Sequence, residues 1–183
     1  MSACRGRAAL IAMLAIGMVL LLGSVAAQPQ EGGAQEQQVK AAYLYKFGGY
    51  VEWPEDAFKD PGSPIVIGIV GDAAMAQEIE KVVGNRTVNG RGVEIREIGP
   101  DEDIGSPHIL FVGRSQLSRI GGLAAHPQPI LIVTDAANAL KQGSIINFVT
   151  TGNRVRFEVS LDAARRNTLR IAAPLLAVAM KVQ

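Results

Sequence analysis

Pro64-Ile65-Val66-Ile67-Gly68-Ile69-Val70-Gly71-Asp72 is the stretch on which the fold turns. Its β-branched run is nearly unbroken, which predicts a strand buried on both faces rather than one with a wet side. Gly71 then turns the chain, and Asp72 can cap a helix over 73–83 by accepting a backbone N–H. A further strand over about 93–98 follows the Asn89-Gly90 turn signal. The unit recurs downstream. Ile109-Leu110-Phe111-Val112 reads as a strand, Gly113-Arg114-Ser115 as a turn with Ser115 as cap, and a helix is expected to about Ala125. Pro129 to Val133 is the next strand, ending at Thr134-Asp135. Strands alternating with helices give an α/β domain whose mostly parallel sheet is covered on both faces.

The last third changes pattern. Residues 144–150 and 154–160 flank Thr151-Gly152-Asn153, which predicts an antiparallel C-terminal hairpin. Its second arm alternates, with Val155, Phe157 and Val159 on one face and Arg154, Arg156 and Glu158 on the other. A short helix from Leu161 and an apolar stretch over 174–182 close the domain. Upstream, Val39, Ala42, Tyr43, Phe47 and Tyr50 recur at near-helical spacing, so a helix is expected to end before Pro54. Residues 28–38 are polar and Gly/Gln-rich and read as a flexible leader.

Residues 1–27 read as a cleavable signal peptide. Arg5 and Arg7 precede an apolar run from Ala8 to Leu22, and Ser24-Val25-Ala26-Ala27 supplies the small residues of a cleavage site. Removing them takes away two arginines and Cys4 but no acid, leaving 16 basic against 17 acidic residues and no cysteine. That balance excludes a basic nucleic-acid binder, and the absence of cysteine excludes disulfides and Cys-based zinc sites. The exported chain is expected to begin at residue 28, and its residues 39–183 are read as one domain in the periplasm.

A search for chemistry yields little. Gly113-Arg114-Ser115-Gln116-Leu117 has the strand-to-helix context of a nucleophile elbow, but Leu117 stands where glycine is required. His108 and His126 are the only histidines and lack metal-ligand spacing, so no metal and no cofactor are expected. No Gly-rich phosphate loop occurs, which leaves Arg114 at a strand end as one anion candidate. The main charge concentration is late: Arg154, Arg156, Glu158, Arg165, Arg166 and Arg170. It suits an anion pocket or a protein contact surface. Six of the nine aromatic residues fall within 43–58, fitting either core packing or a partner strip.

Three segments together resemble the YfiR family of periplasmic proteins: 39–47 leading to Val51-Glu52-Trp53-Pro54; His108-Ile109-Leu110-Phe111-Val112; and 145–149 with 155–159, Leu161 to Arg166 and the 169–176 region. The resemblance implies a Rossmann-like three-layer sandwich that is not an enzyme. It implies a repressor that binds the periplasmic domain of an inner-membrane diguanylate cyclase or sensor kinase and so lowers cyclic-di-GMP output and biofilm formation. An outer-membrane lipoprotein would sequester it, and a homodimer is implied. Tyr45, Arg154 and Arg156 are then the partner-facing candidates, while Glu158, Arg166 and Arg170 match an acid-and-arginine ligand site. A periplasmic small-anion binding protein is the alternative reading.

Overall fold

The structure, a computed structural model, describes residues 31–99, 101–119, 128–152 and 154–183. Residues 1–27, expected to be a cleavable signal peptide, and His126 lie outside the described residues. The elements run α1 (Glu31–Phe47), β1 (Val51–Glu52), β2 (Ile65–Val70), α2 (Ala73–Val83), β3 (Val93–Ile98), β4 (Ile109–Val112), β5 (Leu131–Thr134), β6 (Ile146–Thr151), β7 (Arg154–Val159), α3 (Leu161–Arg166), β8 (Arg170–Ile171), α4 (Ala173–Val178) and β9 (Lys181–Val182).

Seven strands form one sheet in the order β3-β2-β4-β5-β6-β7-β9, and β1 pairs with β8 separately. All pairs in the large sheet are parallel except β6–β7. The expected parallel sheet and antiparallel hairpin are therefore present. Asp72 caps α2 as expected, its carboxylate accepting the Met75 N–H at 2.9 Å.

The period of two along the strands sorts the core into two clusters. Ile67, Ile69, Ile109, Phe111, Leu131, Val133, Phe148 and Phe157 join the larger cluster on one face. Every described α-helix buries side chains there: Ala41, Leu44 and Phe47 from α1, Met75 and Ile79 from α2, Ala163 and Ala164 from α3, Leu175 from α4. Tyr43 and Phe47 pack with Phe148 and Phe157 at centroid separations of 5.4–6.0 Å. Core packing is thus the role of Tyr43 and Phe47, whereas Tyr50 is exposed. The opposite face holds a smaller cluster of Val70, Ile98, Leu110, Val112, Ile130 and Ile132, against which Ile104 and Leu117 pack from loops. Among the described residues that face carries no α-helix, so the third helical layer of a sandwich is not seen.

Two local differences have physical causes. The segment Arg114–Arg119 is a 3-10 turn, not an α-helix capped by Ser115. Its two serines offer hydroxyls that compete for backbone groups, and the 3-10 pattern is set by Gln116 N–H donating to Gly113 O at 2.9 Å. The first helix is displaced towards the N-terminus. It starts at Glu31, inside the polar leader, and stops at Phe47, before the consecutive Gly48 and Gly49.

Candidate functional site

Register places Thr134, Asn147, Glu158 and Lys181 in one line across β5, β6, β7 and β9. They lie on the helix-free face, since their neighbours Val133, Phe148, Phe157 and Val159 point into the larger cluster. Asn147 is the hub of this row. Its Oδ1 accepts from Thr134 Oγ1 at 2.7 Å and from the Ala136 N–H at 3.1 Å, and its Nδ2 donates to Glu158 Oε1 at 3.0 Å. Ser144 Oγ lies 2.9 Å from Thr134 Oγ1 and donates to Ile146 O. A buried network satisfied in this way fixes side-chain positions. Beyond the row, Arg154 and Arg156 stand exposed on β7, opposite Thr151 and Val149. No ion pair among the described residues engages either arginine. The arm therefore presents two unneutralised guanidinium groups on a rigid strand beside a fixed carboxylate.

The other predicted residues are dispersed. Tyr45 is half-buried on α1, and its hydroxyl donates to Thr87 O at 3.0 Å. Arg166 ends α3, and Arg170 lies on β8 opposite Glu52; both are exposed. Glu158 sits on the sheet face away from α3, held by Asn147. No hydrogen bond or ion pair among the described residues joins Glu158 to Arg166 or Arg170.

Neither a hydrolase nor a nucleotide reading gains geometry. Ser115 follows β4, while His108 precedes it, so the two stand at opposite ends of the strand. Both His108 ring nitrogens are engaged, Nδ1 accepting the Val66 N–H at 3.0 Å and Nε2 donating to Ala57 O at 3.1 Å. Burial holds this imidazole below its ordinary value; the Ala57 carbonyl opposes that shift and the Arg91 guanidinium reinforces it. Strand order reverses between β2 and β4, where open α/β sheets usually hold ligands. Here Gln116 lies over Gly71 (φ +63°); a Cβ there would stand 3.1 Å from Gln116 Cγ. Among the described residues no group of three or more His, Cys, Asp or Glu is placed to hold a metal.

Sequence reasoning missed an ionic cluster at the carboxyl edge. Lys40, with its side chain 5% exposed, contacts Glu36 at 2.6 Å and Asp135 at 2.8 Å. Asp135 also accepts the Arg114 N–H at 3.0 Å. The hydrogen bond from Lys40 holds the Glu36 carboxyl below its usual range despite partial burial. The i,i+4 spacing of Glu36 and Lys40 is a visible signal, but Asp135 reaches them only through the fold.

Comparison with known proteins follows from this geometry. The profile of the YfiR/HmsC-like family matches residues 37–180, from within α1 to the residue before β9. The chain belongs to the YfiR/HmsC-like family. The matched region takes in Thr134, Asn147 and Glu158 of the polar row, the exposed arginines, and the Lys40–Asp135 pair. No curated protein sequence matches the chain. Among solved structures, a conserved domain protein from Vibrio cholerae O1 biovar El Tor aligns at 10% identity with a TM-score of 0.49, covering 65% of this chain. The alignment spans only 55% of that Vibrio chain.

Proposed function

We propose that this YfiR/HmsC-like protein is an exported, non-enzymatic regulator that acts in the periplasm. It binds the periplasmic domain of an inner-membrane signalling protein and restrains it, a diguanylate cyclase being the first candidate. The family match over residues 37–180 carries this reading. The hairpin arm supports it, because Arg154 and Arg156 are exposed on a stiff strand and enter no ion pair among the described residues. Such a face suits an acidic protein surface. Repression then needs no chemistry on this chain. Binding one conformation of the receptor more tightly than another shifts its equilibrium by the difference in affinity.

The test has two arms. Purified protein is used to capture partners from detergent-solubilised inner membrane, with mass spectrometry as the readout. A retained cyclase or kinase that Arg154→Glu/Arg156→Glu releases supports the reading. Cellular cyclic-di-GMP is measured in parallel, and deletion of the gene is expected to raise it. An unchanged level removes the cyclase as the target.

A further inference from the structure

The Trp53-Pro54 segment has no part in the regulatory surface described above. It forms one wall of a groove of about 420 Å³, lined by Trp53, Pro54, Phe58, Lys59, Pro61 and Arg91. The groove lies by the amino-terminal ends of β2 and β4, since Trp53 bonds to His108, and His108 bonds to Val66. Its volume falls within the roughly 300–1,000 Å³ usual for ligand sites.

The walls are held firmly. Phe58 stacks on His108 with centroids 4.3 Å apart, and the Arg91 guanidinium carbon lies 3.9 Å from the Phe58 centroid, so the ring is sandwiched. Trp53 stands edge-on to Phe58 at 76°, its indole N–H donating to His108 O at 3.3 Å. Arg91 Nη1 donates to Asp60 O at 3.3 Å and Ser63 O at 2.8 Å. A guanidinium carries five N–H donors, and those on Nε and Nη2 make no hydrogen bond among the described residues. The exposed Lys59 ammonium adds more donors.

Aromatic and proline walls beside surplus donors match one kind of peptide. A proline-rich polyproline II segment has few N–H groups to satisfy, because proline carries none, and its solvated carbonyls need donors. With Phe58 covered on both faces, the segment's rings pack on the Trp53 indole and the groove prolines, and it is already extended, so little conformational freedom is lost on binding. A helix has satisfied its carbonyls internally, and a β-strand brings N–H groups that cations cannot accept. The exposed acids Glu55 and Asp60 on the rim disfavour an acidic segment. We propose that the Trp53–Arg91 groove is a docking site for a neutral or basic proline-rich extended segment of a partner protein. The proposal stands apart from the hairpin surface and does not depend on which signalling protein is controlled.

Trp53 is the only tryptophan of the chain, so its fluorescence reports the groove directly. The experiment titrates purified protein with a decaproline peptide, a Gly-Ser peptide of equal length and N-acetylphenylalaninamide. A saturable change in Trp53 emission with decaproline alone is expected. Arg91→Ala should weaken it about tenfold, as loss of hydrogen bonds from a charged donor would. Lys59→Glu replaces the exposed ammonium by a carboxylate that cannot donate and should weaken it several-fold. A thermal melt checks both variants, so Lys59→Glu decides the matter if Arg91→Ala unfolds. No response to millimolar decaproline, or one undiminished in the folded variants, overturns the proposal. A preference for N-acetylphenylalaninamide also overturns it and makes the groove a small-molecule site.

Discussion

Replacing Asp135 by alanine should destabilise the fold by about 2–3 kcal/mol, because it strands much of the Lys40 charge. Lys40 has a side chain only 5% exposed, with carboxylate oxygens at 2.6 Å and 2.8 Å. Breaking a buried ion pair from one side costs about 3–5 kcal/mol. Glu36, 30% exposed, stays on Lys40 after the change and brings the figure to the lower end. The Arg114 N–H loses its acceptor as well, but it is exposed and turns to water. With a urea slope of about 2 kcal/mol/M, the unfolding midpoint should fall by roughly 1–1.5 M. Lys40→Met removes the charge itself and leaves two partly hydrated carboxylates, so it should cost only about 1–2 kcal/mol. The double variant carries no stranded ammonium. Its loss should be smaller than the sum of the single losses by about 1 kcal/mol or more. Urea titrations of the four proteins, followed by Trp53 fluorescence and circular dichroism, measure this cycle. Single-variant losses that add to within about 0.5 kcal/mol would refute the reasoning.

Three other outcomes follow from the same geometry. His108 is held below its ordinary 6.5 by burial, so between its folded value and 6.5 the unfolded chain binds more protons. Stability is full above pH 6.5 and is lost as pH falls through that window; His108→Phe should flatten this part of a pH series of unfolding midpoints. Asn147→Ala leaves the Ala136 N–H and Thr134 hydroxyl without their shared acceptor and should cost about 2–4 kcal/mol in denaturant titration. Arg154→Ala/Arg156→Ala touches only exposed side chains and should move stability by at most about 0.5 kcal/mol. The same change should weaken capture of the membrane partner, and capture by the unaltered protein should decline as salt rises.

How much of this was legible depended on how local each cause was. The run at 65–70 is apolar on both faces, and the sheet buries both faces of β2. The Asp72 cap and the hairpin turn are set by residues within a few positions of each other. The start of α1 was hidden because Ala34, Glu36 and the glutamines are good helix formers without an apolar period. Lys40 then ties that helix to a strand end 95 residues away. The 3-10 turn at Arg114–Arg119 was missed because its one apolar residue, Leu117, sets no period that separates a 3-10 turn from an α-helix.

Sequence alone determined the strand–helix alternation and the alternating faces of β7, both of which rest on residue type and short spacing. Tertiary structure decided what those residues face. Glu158, Arg166 and Arg170 lie close in the sequence, yet the fold puts Glu158 on the helix-free face and the two arginines on α3 and β8. Thr134, Asn147 and Glu158 form one row because strand register aligned them. Trp53, Phe58 and Arg91 share a groove because His108, at the start of a distant strand, anchors both rings. Register and crossover connections bring distant residues together at no cost visible in local propensity, and a one-dimensional pattern carries no record of them.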